Sequence, residues 1–329
     1  MISQKFSTLI GYILLLLFFT LFLFGDLIPI PDRFSPSENI LNVNTIFLSI
    51  VLEAIPFILL GVFVSSLIQL FVKEEHLNRF IPRNPILALA PAVAIGAIFP
   101  VCECAIVPIV RRLIAKGMPM HVGMVVLVSA PVLNPIVYLS TYHAFQSTPS
   151  IAYARMGLAF VIALLVGLLM YLLYERANPL KQKQVQVEHH HHSKSKNRFK
   201  EMFDHASDEF FDMGKFLIIG AFLAALVQTF MDRDTLAAIG NGVFTGPVAM
   251  MGMAYVLSLC SEADAFVASS FQAFTTPASL LAFLVYGPMI DLKNTILLFA
   301  YFRARFVASL VFVITLTTFS IIMIYQNFF

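Results

Sequence analysis

Two short stretches of the chain place thiols and carboxylates inside segments that are otherwise apolar. They contain six such side chains: Cys102, Glu103, Cys104, Cys260, Glu262 and Asp264. Thiolates prefer soft acceptors such as Cu(I), Zn(II), Cd(II) or trivalent arsenic and antimony. The chain has three cysteines, and all of them lie in these stretches. The sequence therefore predicts a soft-metal or metalloid site on Cys102, Cys104 and Cys260, with the three acids as oxygen ligands or proton acceptors.

The spacing of the first two cysteines constrains how they could share a ligand. On a straight helix, residues i and i+2 point about 200° apart. In a turn flanked by Pro100 and Pro108, the thiols of Cys102 and Cys104 could converge and meet Cys260. The alternative is that these cysteines are small buried hydrophobes, which is common in membrane helices, and a Cys-x-Cys motif alone is weakly specific.

The composition excludes a soluble globule. Hydrophobic residues make up 59% of the 329 residues and charged residues 12%, whereas soluble domains average about 25% charged residues. Several apolar runs approach the roughly 20 residues needed to cross a bilayer. These features predict an all-α polytopic membrane protein, bound in a lipid bilayer and with no nucleic-acid partner.

The chain lacks the sequence motifs of the commoner membrane-associated enzymes. It has no G-x-x-x-x-G-K-[ST] loop for nucleotide hydrolysis, no His-Glu-x-x-His and no Gly-x-Ser-x-Gly. We therefore expect a transporter and not an enzyme, and we expect no cofactor.

Hydropathy and charge divide the chain into four parts. Residues 1–44 contain a first apolar run, Phe6–Phe24, which we interpret as a retained span because no small-residue cleavage site follows it. Residues 45–174 form repeat 1 and residues 207–329 form repeat 2. Between them, residues 175–206 are polar and charged, which is typical of a flexible linker. This linker includes the run His189–His192, interpreted as incidental and not as a metal-capturing tract.

The second half of the chain repeats sequence features of the first half in the same order and at a nearly constant separation. The matched features, first-half residue first, are Phe57–Phe63 with Phe216–Phe222, Gln69 with Gln228, Pro91 with Pro247, Gly96 with Gly252, Cys102 with Cys260, and Asn134 with Asp291. One such match could arise by chance in apolar sequence, but an ordered series indicates an internal duplication.

The distribution of Lys and Arg selects between two topologies. If every apolar run crossed the membrane, giving eight or nine simple spans, basic loops would fall on both sides, against the positive-inside rule. If each Cys-containing segment is a Pro-broken, re-entrant pair of half-helices, the basic loops collect on one side. We therefore predict about seven full spans plus two re-entrant segments. The two repeats are then inverted, as in many secondary transporters, and the N-terminus and the 175–206 linker are cytoplasmic.

Asn134 and Asp291 follow prolines at the predicted breaks in two apolar runs. Polar groups at membrane depth are expensive, and for this reason they are functional candidates. Each of the two could contact substrate, or could instead cap the helix that begins after the break.

Three motifs give the chain a resemblance to a known family. They are Glu-x-x-Pro-Phe-x-x-x-Gly from Glu53, a Cys-containing turn that ends in Val107-Pro108, and Ser-Ala-Pro-x-x-Asn-Pro from Ser129. The chain, from about Leu48 to Ile324, is similar to the bacterial permease family that includes the ArsP-type organoarsenical efflux permeases. The resemblance implies a secondary transporter of the bacterial inner membrane. For the arsenical members, it implies export of a trivalent organoarsenical. Glu103 departs from the Ser or Gly usual between the cysteines, and a charge there would suit a cationic metal.

We consider four hypotheses about function, of which the last is a structural subunit for a neighbouring membrane protein. The first is a permease that exports a soft metal or metalloid species, with proton coupling through the acids. The second is a permease for a small anion or sulfur compound, recognised by half-helix N-termini. The third is a membrane-embedded thiol oxidoreductase that cycles between dithiol and disulfide. A homo-oligomer or a small membrane partner is compatible with each.

Overall fold

The structure is a computed structural model, and it describes residues 38–71, 82, 84–98, 101–174, 198–230, 242–272 and 275–328. The chain divides into two compact units, Met1–Asn42 and Val43–Phe329. The second unit holds nearly all of the described residues, including every candidate site residue.

Twelve α-helices account for the regular structure of the described residues. The first six are α1 (Glu38–Phe71), α2 (Leu89–Ile98), α3 (Glu103–Ala115), α4 (Met120–Leu133), α5 (Pro135–Ala144) and α6 (Ser150–Tyr174). The second six are α7 (Arg198–Phe230), α8 (Thr245–Leu257), α9 (Asp264–Ser270), α10 (Pro277–Met289), α11 (Leu292–Tyr301) and α12 (Ala304–Phe328).

Helix for helix, α7–α12 follow the order of α1–α6. Each set has a long helix, two short helices on either side of a Cys-containing turn, a span interrupted near its middle, and a last helix of 25 residues. The interruptions fall at Asn134 and at Ile290–Asp291, where the matched Pro-x-x-Asn and Pro-x-x-Asp motifs predict them. The two structural repeats expected from the sequence are present.

Six helical segments are long and apolar enough to cross a membrane, three in each repeat. They are α1, the α4–α5 pair, α6, α7, the α10–α11 pair and α12. Because repeat 1 contains three crossings, an odd number, repeat 2 starts on the opposite side of the membrane from repeat 1, and the two repeats have opposite orientations. The predicted additional span, Phe6–Phe24, lies outside the described residues, as does the His189–His192 run. The six described crossings are those that the predicted topology places after Phe6–Phe24, and the seventh span stays a prediction.

Helix α2 runs in the same direction as α4. Gly167 of α6 lies against Leu89, at the start of α2, and against Val125 of α4. Further along both helices, Gly96 of α2 lies against Ser129 of α4. With 10 residues, α2 is about 15 Å long, half of the roughly 30 Å hydrocarbon core.

Helix α3 runs in the opposite direction to α4, and therefore to α2. Gly123, near the start of α4, lies against Ile114 and Val110 of α3. The α2–turn–α3 unit is thus a hairpin whose two ends lie on the same side of the protein and whose Cys-containing turn lies at its tip. This is the re-entrant arrangement predicted for the first repeat.

Helices α4 and α10 form the centre of the bundle. In their spans, 72% and 83% of the most apolar window is buried, compared with 28–39% in the four other spans. The outer spans present large apolar side chains such as Leu59, Phe222 and Phe312 to the outside. Helices that are apolar on every face are typical of a bundle core or a membrane span, so α4 and α10 form the core and the four other spans face lipid.

Three local details differ from the expectation. Pro91 and Pro108 lie inside α2 and α3 and do not interrupt them. Pro91 is tolerated because the first backbone N–H groups of a helix have no intrahelical acceptor. In addition, α1 begins at Glu38 and α7 at Arg198, so each long helix starts several residues before its predicted repeat boundary.

Candidate functional site

The first Cys-containing turn leads directly into α3. Cys102 has extended backbone angles, with φ −74° and ψ 168°, and α3 begins at Glu103. Because the backbone changes from extended to helical between Cys102 and Cys104, the two side chains are not held to the divergence of about 200° that a straight helix imposes on residues i and i+2. Both are 1% exposed and Glu103 is fully buried. Pro108 also lacks the N–H that would bond the Cys104 carbonyl in a regular helix.

The second turn has a different backbone. Ser258 ends α8 in the left-handed region, with φ 47°, a conformation that is uncommon for a residue other than glycine. Cys260 is 2% exposed and Asp264 opens α9. Glu262 is half-buried, and Ser261 Oγ lies 3.5 Å from its Oε2. The turn therefore carries one buried thiol, one buried acid and one partly accessible acid.

Lys293 of α11 joins the two turns. Its ammonium nitrogen lies 2.9 Å from Glu103 Oε1 and 3.4 Å from Asp291 Oδ2, and it donates to the Ser258 carbonyl at 2.7 Å. We call Glu103, Asp291 and Lys293 the lysine cluster. Its residues are between 0% and 3% exposed, and Glu103 Oε2 has no hydrogen-bond partner among the described residues.

The thiols of both repeats lie around this cluster. Cys102 and Cys104 flank Glu103 in the chain, and Cys260 lies two residues after Ser258, the residue whose carbonyl accepts from Lys293. Within the described ranges, no group of three His, Cys, Asp or Glu is arranged to hold a metal ion directly. The tertiary fold thus brings the two Cys-containing turns together around the Lys293 ammonium. The metal site on Cys102, Cys104 and Cys260 stays a prediction.

A second buried ion pair also links the repeats. Arg155 of α6 donates to Asp264 Oδ2 at 2.7 Å, to Thr141 Oγ1 at 2.7 Å and to the Ser261 carbonyl at 3.4 Å. Arg155 is fully buried. The acid after the second Cys turn therefore pairs with a cation of repeat 1, just as Glu103, after the first turn, pairs with a cation of repeat 2.

Asn134 and Asp291 both cap helices. The Asn134 side chain accepts from Val137 N at 2.9 Å, and the Asp291 side chain accepts from Asn294 N at 2.6 Å. Pro135 occupies the first position of α5, where a proline suits a helix start. The capping interpretation thus holds for both residues. Of the two, only Asp291 also belongs to the lysine cluster, through its contact with Lys293.

Two cations at the site were not among the predicted site residues. Lys293 was considered only as a partner of Asp291, and its shorter contact is with Glu103. Arg155 was overlooked inside an apolar run. Its charge could have indicated a role, because an ionisable residue within a membrane span normally faces the bundle interior and has a partner.

Charged residues also connect the repeats at the far end of α3. Glu209 of α7 lies 3.1 Å from Arg112 and 3.6 Å from Arg111, and Ser65 donates to it at 3.1 Å. The Arg111 guanidinium lies 4.7 Å from the centre of the Tyr301 ring. In the sequence, Arg111 and Arg112 indicated only which side of the membrane their loop occupies. In the structure, they also contact Glu209 and Tyr301 of repeat 2.

Comparison with known proteins identifies relatives along most of the chain. Residues 39–327 match the ArsP_1 family model, described as a predicted permease. The chain is 46% identical over 274 residues to the UPF0718 protein YcgR of Bacillus subtilis, covering 83% of this chain and 93% of that protein. It is 36% identical over 275 residues to a Streptococcus mutans protein provisionally named a two-component membrane permease complex subunit, covering 83% and 91%. No solved structure shows significant similarity.

Proposed function

This chain belongs to the ArsP_1 family of predicted permeases, and we propose that it is a secondary efflux transporter for a soft metal or metalloid species. The coarser statement, that it is a multi-pass membrane permease, follows from the family match and the six membrane-length apolar segments. The substrate class is our inference from the chemistry of the site. A trivalent organoarsenical and a d¹⁰ metal ion both fit that chemistry.

One observation carries the proposal. Buried thiols from both repeats adjoin the lysine cluster. Cys104 follows Glu103 in the chain, and Cys260 lies two residues after Ser258, whose carbonyl accepts from Lys293. Secondary transporters with inverted repeats bind substrate near the bilayer midplane, where broken helices meet at the repeat interface. Rocking of one repeat against the other would then expose these thiols alternately to the two sides.

The acids have separate roles in this proposal. Asp264 pairs with Arg155, so its charge is already compensated and it holds the second turn in place. Glu103 and Glu262 are the acids that supply countercharge to a bound substrate or accept protons from it. Glu262 is the most accessible of the three, which suits a residue that exchanges protons with an aqueous path.

The anion hypothesis has one observation in its favour, the buried ammonium of Lys293. Two buried carboxylates already contact that ammonium, and they would repel an anion. Transport that is insensitive to thiol blocking would support an anion substrate and contradict a thiol-bound one.

We also propose the location and assembly of the protein. The side that collects Arg111, Arg112 and Arg303 is the cytoplasmic face of a bacterial inner membrane, by the positive-inside rule. Because the Streptococcus mutans relative is named as part of a two-component complex, we infer that this chain also has a membrane partner. A single species of monomer mass, purified from native membranes in mild detergent, would contradict that inference.

A thiol titration tests the proposed function directly. Reduced, purified protein is titrated with phenylarsenite, Zn(II) and Cu(I) while free thiols are counted, and the chain's three cysteines make the count unambiguous. We expect two or three thiols to disappear together at one equivalent of one ligand. Independent titration, or none, would show that the cysteines only pack.

Resistance measurements extend this test to transport. Cells that express the Cys102→Ser, Cys104→Ser, Cys260→Ser triple variant should lose resistance to the ligand that titrates the thiols. Each hydroxyl has nearly the shape of the thiol but binds soft metals poorly. Resistance equal to that of the unaltered protein, at equal expression, would refute the thiol mechanism.

A further inference from the structure

The lysine cluster is not electrically balanced. It contains two carboxylates, Glu103 and Asp291, and one ammonium, and all three are almost completely buried. An uncompensated charge in a buried site is costly, so buried charges are normally paired or bind ions. With both acids ionised, the cluster is one positive charge short.

The position of the ammonium is that of a small bound cation. Three oxygens from three chain segments surround Lys293 Nζ: the Ser258 carbonyl at 2.7 Å, Glu103 Oε1 at 2.9 Å and Asp291 Oδ2 at 3.4 Å. Glu103 Oε2 is buried in the same place with no hydrogen-bond partner among the described residues. The cluster thus offers more acceptor atoms than the ammonium uses.

The Arg155–Asp264 ion pair, which also joins the two repeats, has no such excess of negative charge. Asp264 faces one guanidinium, so that pair is neutral, although Asp264 Oδ1 also has no hydrogen-bond partner among the described residues. Arginine is a rigid planar fork suited to a permanent clamp, whereas lysine is a point charge on a flexible four-carbon stem. The cation on the flexible stem is therefore at the cluster with two carboxylates, and the rigid fork is at the neutral pair.

We propose that Glu103 and Asp291 form a binding site for a divalent cation, in which the Lys293 ammonium is the resident counter-ion of the substrate-free state. This inference rests on the proposed transport function and narrows its substrate to a charged species. A divalent cation that enters between the carboxylates neutralises both, and Lys293 swings away on its flexible stem. When the cation leaves, the ammonium returns.

The resident ammonium explains how the empty carrier can change orientation. Without it, the empty site would carry two uncompensated buried negative charges, and conversion through a closed state would be slow. With it, the charge is reduced to one. Lys293 therefore assists the conformational change by which the empty carrier returns to its starting orientation. Exchange of one bound ion for another does not require this step.

The experiment compares two transport modes in proteoliposomes, with Zn(II) as the probe. Net zinc efflux requires the empty carrier to return, whereas zinc–zinc exchange, with Zn(II) on both sides, does not. In Lys293→Met we expect exchange to persist and net efflux to fall about tenfold or more, because the empty site has lost its counter-ion. Equal loss in both modes, or no loss in either, would overturn the proposal.

A second variant keeps the test decisive if Lys293→Met does not fold. Glu103→Gln preserves shape and removes one negative charge, so the affinity for Zn(II) should fall about tenfold or more. The control is Glu209→Gln, an equally buried and paired acid at the far end of α3, which should leave the affinity unchanged. Equal effects of the two variants would contradict a cation site at Glu103.

The unaltered protein separates this inference from the proposed function. If it titrates its thiols with phenylarsenite but does not bind Zn(II), the cation site is wrong and the thiol-based permease stands. If neither ligand is bound, both are wrong.

Discussion

At the scale of single residues, two of the buried ion pairs that join the repeats lie at the candidate site, and they use different cations. The Arg155 guanidinium donates hydrogen bonds to a carboxylate, a hydroxyl and a carbonyl. Lys293 lies between two carboxylates. Since removing one partner of a buried pair leaves an unpaired charge, the Arg155–Asp264 pair is expected to be essential for stability.

A double-mutant cycle tests the role of this pair. Arg155→Met leaves Asp264 buried and unpaired, and Asp264→Asn leaves Arg155 without its anion, so each should lower the free energy of unfolding by about 3–5 kcal/mol. The double variant should cost clearly less than the sum, because neither charge remains. SDS titration in mixed micelles, followed by circular dichroism, measures these differences.

The exposed pair Lys215–Asp212 provides the control. Its side chains are 67% and 68% exposed, and surface pairs contribute only about 0–1 kcal/mol. Lys215→Met should therefore have little effect on the free energy of unfolding. If Arg155→Met were equally harmless, or if the cycle were additive, the buried pair would have no structural role.

At the scale of helices, two glycines permit close packing beside the site. Gly61 of α1 and Gly220 of α7 occupy matched positions in the repeats. A Cβ atom at Gly61 would lie 2.7 Å from Ala105 Cα, and one at Gly220 would lie 3.1 Å from Lys293 Cα. Each long outer helix thus approaches the backbone of a helix that carries a site residue, and a side chain there would displace it.

Gly220→Ala is predicted to displace α11. The added methyl meets the Lys293 backbone, so overpacking should cost about 1–3 kcal/mol of stability and should lower transport by shifting the ammonium. Gly214→Ala on the same helix is the control, since nothing lies within 4 Å of a Cβ there. The control should be neutral or stabilising by up to about 1 kcal/mol, as Ala favours helix over Gly.

Both measurements use the same protein preparations: SDS titration for stability and zinc efflux from proteoliposomes for transport. Indistinguishable results for Gly220→Ala and Gly214→Ala would mean that α7 and α11 adjust without strain. The proposed dependence of Lys293 on close helix packing would then be incorrect.

At the scale of the whole molecule, the repeats interlock through their Cys-containing turns. Glu103, at the tip of the hairpin in repeat 1, contacts α11 of repeat 2, and Asp264 of repeat 2 contacts α6 of repeat 1. Each turn is therefore held by the other repeat. A relative movement of the repeats must change both sets of contacts, which couples the shape of the site to the orientation of the carrier.

Labelling of single cysteines tests the hairpin topology. The background has the three native cysteines replaced by serine. Asn84→Cys lies before α2, Ala115→Cys is at the last residue of α3, and Gln146→Cys lies after the next crossing. All three positions are exposed. A membrane-impermeant maleimide should label the first two from the same side and the third from the opposite side, compared in right-side-out and inverted vesicles. Labelling of Asn84→Cys and Ala115→Cys from opposite sides would support the topology of simple spans.

Much of the architecture follows from the sequence because its causes are local. Long apolar runs require helices in a bilayer, since every backbone group must be hydrogen-bonded internally. Prolines followed by Asn134 and Asp291 mark the broken spans, because proline disfavours a continuous helix and the polar side chain caps the next one. The collection of basic loops on one side of the membrane determines the orientation of the spans. The internal duplication was visible for the same reason, as matched local features in matched order.

The composition of the site, by contrast, was decided by tertiary structure. The cysteines and acids are conspicuous in apolar sequence, but nothing near Glu103 in the chain indicates that its partner is Lys293, or that Arg155 is the partner of Asp264. Ion pairing acts through space, and the repeats exchange these contacts across their interface. Residue types and spacing therefore determined which groups could do chemistry, while packing of the inverted repeats determined which of them meet.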